Sequence, residues 1–345
     1  MKKALFVGLG SIGQRHLRNL RRIAGNSIDV IAYRATRSVP VLSDKLKVIE
    51  NGDIPTLYNV REFNDLDQAL AEKPDMVFIT NPTSLHIPVA MKAVAAGCHL
   101  FMEKPISHDW EGIEELIDLV DQKGVVALVG YQFRFHPTLK LIAEWLEQKR
   151  IGRLISGHLF LGEYLPGWHP YEDYRKAHPA RKDLGGGVLV TQIHEFDYAL
   201  WLFGMPKKVF AVGGHLSHLE VDVEDCATIL MQCEYEGRPL PITLEMDYLQ
   251  SPPVRGCAIV GDEGRIDWNF HTNQVTLAHR PSGTKEVRSF DKLERNDYFI
   301  DLLKHFLDAI EGKTKPLIDL RDGAKSLRMA LAALKSMETG EAVSL

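Results

Sequence analysis

Short apolar runs alternate with amphipathic stretches through the first third of the chain. ALFVG (4–8), IDVIAYR (28–34), MVFIT (76–80), HLFME (99–103) and VVALVG (125–130) are continuous enough to be buried on both faces of a sheet. Between them, SIGQRHLRNLRRIAG, NDLDQALAEK, IPVAMKAVAAG and DWEGIEELIDLVDQKG repeat apolar positions at helical spacing. Gly25, Gly97 and Gly124 each stand where the residue just past a helix favours glycine. This alternation predicts a parallel sheet covered on both faces, a doubly wound α/β domain.

Past about residue 150 the texture changes. LISGHLFLGEYL, VFAVGGHL, CATILMQCEY, LPITLEMDYL, RGCAIVG, GRIDWNF and NQVTLAH follow one another, separated by EGRP, SPP and GDEG turns. Many alternate apolar with polar, as strands do when one face is wet, so a large open, mostly antiparallel sheet is expected. Helical patterns cover 137–149 and run unbroken over 188–203, and two more close the chain around 296–311 and 320–338. The boundary falls near 126–136, giving domains of 1–126 and 127–345. So broad a sheet has few helices to cover both faces. Its spare face predicts a homodimer or homotetramer formed through the C-terminal domain.

Bulk properties narrow the partners. The 345 residues are 45% hydrophobic and 25% charged, with a formal charge of −5, which argues against a nucleic-acid footprint. No window reaches the length of apolar residues that a membrane span needs. MKKALFVGLG imitates an export signal, but its apolar run is too short and Arg15, Arg18, Arg21 and Arg22 follow. Cys98, Cys226, Cys233 and Cys257 sit in apolar runs without paired spacing, reading as reduced thiols with no zinc site. A cytoplasmic protein without metal is expected.

The chemistry begins at GLGSIG. Gly8, Gly10 and Gly13 form a G-x-G-x-x-G pattern between the first strand and the first helix. Glycine there serves the tight turn, then the close approach of backbone to pyrophosphate, then helix-on-strand packing. Ser11 and Ile12 open the helix, whose free N–H groups and dipole suit phosphate. In this setting the pattern predicts a Rossmann domain binding NAD(P). An acid at the end of the second strand would hold the ribose 2′-hydroxyl of NAD. That end reads YRATRS, with Arg34 and Arg37 and no acid, while Asp29 lies near the strand's start. The basic end favours NADP.

Together GLGSIGQRH, NPTSLH (81–86), EKP (103–105) and GGGVLVTQIHEFD (185–197) resemble the glucose–fructose oxidoreductase / inositol dehydrogenase / MocA family over nearly the whole chain. The resemblance implies that the loop with Asn81, Pro82 and His86 runs beside the cofactor. It implies a catalytic role near the reacting carbon for Lys104 and general acid–base work for His194. The residues agree. Lys104 lies at the carboxyl end of a strand, where ligands of doubly wound sheets bind, and an ammonium there stabilises an alkoxide. Pro105 sets the turn, and Glu103 either pairs with Lys104 or faces the cofactor. Asp197, three residues past His194, shares its helix face. Many relatives carry an aspartate four residues before this histidine. Here that position is Val190, with Thr191 and Gln192 beside it, which puts the usual Lys–Asp–His set in question.

The stretch 162–184, GEYLPGWHPYEDYRKAHPARKDL, is long and rich in aromatic and basic residues, and reads as a substrate-pocket wall. Aromatic faces stack on sugar rings, and arginine reads carboxylate or phosphate oxygens. Glu163, Tyr164, Trp168, His169, Arg175 and Arg181 are the candidates, with Gln192 beside His194 and Arg134 and His136 as outliers. The reading is an NAD(P)-dependent dehydrogenase or reductase of a sugar, cyclitol, sugar acid or sugar nucleotide. The alternatives are an enzyme that retains and recycles its cofactor, as glycosidase- or epimerase-type relatives do, and a non-catalytic NADP-binding regulator.

Overall fold

The computed structural model describes residues 1–35 and 39–345, so Arg37 lies outside the described residues. In chain order the first elements are β1 (Lys2–Val7), α1 (Ser11–Ala24), β2 (Ile28–Tyr33), α2 (Ile54–Tyr58), β3 (Arg61–Phe63), α3 (Leu66–Ala71), β4 (Met76–Ile79), α4 (His86–Ala95), β5 (His99–Met102), α5 (Ile113–Lys123) and β6 (Ala127–Val129). There follow α6 (Pro137–Glu147), β7 (Leu154–Gly162), α7 (Val188–Thr191), α8 (His194–Phe203), β8 (Lys208–Gly214), β9 (Cys226–Tyr235) and β10 (Arg238–Asp247). The last are β11 (Val254–Gly261), β12 (Gly264–Asn269), β13 (Gln274–His279), β14 (Thr284–Ser289), α9 (Asp297–Ile310), α10 (Leu320–Thr339) and β15 (Val343–Ser344).

The described residues form two compact units, one of Met1–Tyr131 with Asn296–Ala324, the other of Gln132–Arg295 with Lys325–Leu345. In the first unit six parallel strands run in the order β3-β2-β1-β4-β5-β6. The chain winds outward one way from β1 and the other way from β4, so the gap between their carboxyl ends is the topological switch point. Ala4–Val7, Met76–Ile79 and Leu100–Met102 are buried throughout, which is why these strands read as unbroken apolar runs. Phe306 of α9 packs edge-on to Phe78 and Phe101, at 5.7 and 5.5 Å between ring centres. Only β3 escaped the apolar pattern: REF is three residues long and carries one apolar side chain.

The second unit is built on a nine-stranded sheet in the order β14-β13-β12-β11-β7-β10-β9-β8-β15. The β7–β10 pair is parallel and the others antiparallel. Alternation is clean in β9, where Ala227, Ile229, Met231 and Cys233 are buried while Thr228, Leu230, Gln232 and Glu234 are exposed. The outward face also carries exposed Ile155, Phe210 and Val212. The helix expected over 188–203 is broken. Gln192 leaves helical geometry (φ −98°, ψ 36°), ending α7, and α8 starts at His194. Apolar spacing continues across the break, so periodicity alone hides it. The four cysteines are free thiols, and burial pushes each above the usual range.

Candidate active site

The glycine turn closes against the end of β4. Gly8 has φ +90°, and a Cβ on it would lie 3.0 Å from the backbone of Asn81. A Cβ on Gly13 would lie 2.5 Å from Gly8 O and 2.7 Å from Thr80 Oγ1, so α1 approaches the strands as only glycine permits. Thr80 Oγ1 donates to Gly8 O at 2.6 Å and ties the two loops together. Gly10 differs: a Cβ there would meet nothing within 4 Å. Gly10 also caps α1 without a side-chain hydrogen bond, and no acid occupies the first turn, which Ser11 and Ile12 begin. An open backbone surface before uncapped N–H groups fits a dinucleotide pyrophosphate. Beside it, Asn81 Oδ1 is buried with no hydrogen-bond partner among the described residues, an acceptor suited to a ligand donor.

At the end of β2, Arg34 Nη1 donates to Glu62 Oε1 at 2.6 Å, both side chains almost wholly buried. Glu62 lies on β3, so an acid does stand at this end of the sheet, contributed by the strand that the sequence did not reveal. Asp29 sits at the opposite end of β2, within 3.9 Å of Arg61.

His86 is buried, with Nδ1 2.8 Å from Pro105 O and Nε2 3.0 Å from Asn81 O. It braces the Asn81–Pro82 loop against the turn after β5. Burial lowers its pKa, the two carbonyl contacts opposing. Glu103 is buried too. Its Oε1 accepts from His16 Nε2 at 2.6 Å, and its Oε2 accepts from the backbone N–H of Lys104 at 3.2 Å. The carboxylate therefore points beneath the turn, paired with a histidine that sequence reasoning missed. Lys104 is the next residue, half-buried, joined to Pro105 by a cis peptide bond.

In the second unit His194 heads α8, buried, its ring 4.6 Å from that of Phe133. Gln132 Nε2 donates to His194 Nε2 at 3.0 Å, leaving the ring proton on Nδ1. Arg255 of β11 donates to Gln192 Oε1 at 2.9 Å and pairs with Glu195 Oε1 at 2.8 Å. Its guanidinium also lies over the rings of Phe133 and Phe270, at 4.9 and 5.4 Å. The helix break is thus pinned on both sides by one buried cation. Asp197 is buried and held by Arg134, whose Nε reaches Oδ2 at 2.8 Å and whose Nη2 reaches Oδ1 at 3.0 Å. That clamp accounts for Arg134. His136 caps α6, accepting from Thr138 Oγ1 at 2.7 Å, and burial with Arg255 nearby lowers its pKa to about 4. Val190 is buried in α7. Glu224 fills the space that Gly187 leaves and accepts from the Leu189 N–H at 3.1 Å; burial raises its pKa to about 7.

The 162–184 stretch folds into four single 3-10 turns, 165–167, 174–176, 178–180 and 182–184. Its two arginines are already engaged. Arg175 forks onto Asp173 at 2.8 and 3.0 Å and reaches Glu220 at 3.1 Å, while Arg181 pairs with Asp183. Either must exchange a partner to read a substrate anion. His169 pairs with Glu172 at 2.5 Å and stacks on Tyr171. Trp168 packs edge-on to Tyr248, and its buried Nε1 has no partner among the described residues. Glu163 is half-buried and Tyr164 exposed. Sequence reasoning missed Gln132, Glu195, Arg255 and Glu224. Only Glu195, next to His194, and Gln132, two residues before Arg134, stood near singled-out residues.

A parallel sheet with a glycine turn shaped for phosphate at its switch point defines a dinucleotide-binding domain. The match to family descriptions agrees: residues 2–131 match "Oxidoreductase family, NAD-binding Rossmann fold", and residues 143–345 match "Oxidoreductase family, C-terminal alpha/beta domain". The chain belongs to this glucose–fructose oxidoreductase / inositol dehydrogenase / MocA family, and it is an NAD(P)-dependent dehydrogenase or reductase acting on CH–OH groups. It is 26% identical to myo-inositol 2-dehydrogenase of Thermotoga maritima, over 98% of this chain and 97% of that protein. It is also 26% identical to UDP-N-acetylglucosamine 3-dehydrogenase of Acidithiobacillus ferrooxidans, over 96% of each. The WlbA dehydrogenase from Bordetella pertussis, solved with NADH and UDP-GlcNAcA, shares the fold with a TM-score of 0.78 at 21% identity, over 100% of this chain and 98% of that one. Among the described residues no helix is long and apolar enough to cross a membrane.

Proposed function

We propose that this enzyme moves a hydride between a nicotinamide dinucleotide and a hydroxyl or carbonyl carbon of a sugar, cyclitol, sugar acid or sugar nucleotide. The observation that carries the reading is Lys104 at the carboxyl end of β5, on a turn braced by the buried pairs Glu103–His16 and His86–Pro105. Lys104 hydrogen-bonds the reacting oxygen and stabilises the negative charge that develops on it. His194, oriented by Gln132, exchanges the hydroxyl proton at its own ring nitrogen. Gly8, Gly10, Ser11, Ile12 and Gly13 hold the pyrophosphate, and Asn81 and Pro82 line the route of the cofactor. The nicotinamide, when bound, supplies the hydride chemistry. Named relatives acting on myo-inositol and UDP-N-acetylglucosamine support a polyhydroxylated substrate.

Either dinucleotide suits the Arg34–Glu62 pair: the guanidinium favours the 2′-phosphate of NADP, the carboxylate the 2′-hydroxyl of NAD. NADP is the preferred cofactor, on the charge of Arg34. The apolar outward face of the second sheet, with Ile155, Phe210, Val212 and Leu230 exposed, supports a homodimer or homotetramer. Light scattering tests it.

The test of activity is reduction of NADP⁺ or NAD⁺ with a panel of sugars, cyclitols and sugar nucleotides, comparing wild type with Lys104→Met. Loss of kcat by at least a hundredfold, or about 2.7 kcal/mol, is expected. Equal turnover removes Lys104 from the mechanism. Val190, buried where an acid is usual, favours one second reading, in which the cofactor is retained and recycled. That reading predicts converted substrate with no net change in nicotinamide absorbance.

A further inference from the structure

We propose that His16 is a positioning residue for Lys104, acting through Glu103. The inference rests on the role given to Lys104 above and goes beyond it. His16 lies on the face of α1 turned to the sheet, fully buried, with its ring 4.6 Å from Phe101, 6.0 Å from Phe299 and 6.5 Å from Phe78. An imidazole in so apolar a setting costs free energy unless its polar atoms are used, and of its two ring nitrogens only Nε2 is engaged, Nδ1 being buried with no partner among the described residues. Here Nε2–H donates to Glu103 Oε1 at 2.6 Å, a short, charge-assisted bond.

Both carboxylate oxygens are engaged, and the backbone that carries them is fixed. Oε2 accepts the backbone N–H of Lys104 at 3.2 Å, and the Glu103 N–H donates to Ile79 O at 2.9 Å. Gly130, whose own N–H donates to Met102 O at 2.7 Å, leaves the room: a Cβ there would lie 3.1 Å from Oε1. The anchored carboxylate belongs to the residue immediately before the lysine, so the direction in which Lys104 leaves β5 depends on where Oε2 stands. That in turn depends on the imidazole. The same helix presents the phosphate turn at its start and this imidazole little more than one turn later. α1 thereby sets the dinucleotide cradle and the catalytic strand end with one rigid body. A misplacement of about 1 Å at a reacting group costs on the order of a hundredfold in rate.

The experiment measures kcat, KM and the dinucleotide Kd for His16→Leu, His16→Gln and Lys104→Met, with melting temperature as the check on folding. His16→Leu keeps the volume and deletes the donor; His16→Gln restores an N–H. The expected result is a ten- to hundredfold loss of kcat for H16L, dinucleotide Kd within about threefold of wild type, and at least tenfold recovery in H16Q. Should H16L not fold, Glu103→Gln, which keeps the shape and drops the charge, takes its place with the same expected kcat loss and preserved Kd. If Lys104→Met is inactive while H16L, or E103Q in its place, retains full kcat, the inference fails and the assignment of Lys104 stands. If Lys104→Met retains full kcat, the assignment of Lys104 fails first. A loss in H16L that H16Q does not recover also overturns the inference, because bulk packing then explains it.

Discussion

Arg255 offers the sharpest test of how the second unit is held together. Arg255→Met keeps an unbranched chain between Phe133 and Phe270 but removes the guanidinium. Glu195, whose side chain is 0% exposed, then loses the cation 2.8 Å away, and Gln192 Oε1 loses its donor at 2.9 Å. Breaking one side of a buried ion pair costs about 3–5 kcal/mol, because the remaining charge is left uncompensated away from water. For a unit of this size that corresponds to a fall in melting temperature of roughly 6–20 °C. The assay is thermal unfolding followed by near-ultraviolet circular dichroism on R255M, Glu195→Gln and the double variant. The double variant buries no lone charge and should regain at least half of the R255M loss. A single-variant loss below about 1 kcal/mol, or a double variant as unstable as the sum of the singles, refutes the reasoning.

Gly10→Ala should leave the melting temperature within about 2 °C of wild type yet weaken dinucleotide binding roughly tenfold or more, since the added methyl meets open space where phosphate belongs. Gly13→Ala, with Gly8 O 2.5 Å from the new carbon, should cost about 1–3 kcal/mol of stability by calorimetry. Glu224 has a folded pKa raised to about 7 from 4.5, so its contribution to stability is full below about pH 4.5 and is lost as pH rises through about 7. Glu224→Gln should therefore gain on wild type in melting temperature from pH 5 to pH 8, and parallel curves would discount the carboxyl. Arg34→Ala should reduce kcat/KM for NADP by about tenfold more than for NAD; an equal effect on both would discount Arg34 as the reader of the 2′-phosphate.

The parallel sheet was legible because its strands are buried on both faces, and that condition writes itself as unbroken apolar runs such as MVFI and HLFM. The glycine turn was legible for a related reason. A Cβ at Gly8 or Gly13 collides with named backbone atoms, so the steric demand falls on residue types that a sequence displays. Lys104 and His194 stood out through a resemblance, since one lysine after a strand looks like any other. Short or interrupted elements were hidden. β3 has too few residues to set up a period, and with it went Glu62, the acid that partners Arg34. The break at Gln192 leaves the apolar spacing of 188–203 intact, because it redirects the backbone without changing which side chains are buried.

Local chemistry along the chain thus determined the two sheets, the phosphate turn and the strand end that carries the lysine. Tertiary structure alone decided which charges meet: His16 with Glu103, Arg134 with Asp197, Arg255 with Glu195 and Gln192. The reason is one of range. Burial patterns and glycine sterics act over a few residues and leave a periodic record, whereas a buried charge needs one partner within about 3 Å, wherever in the sequence the fold can supply it.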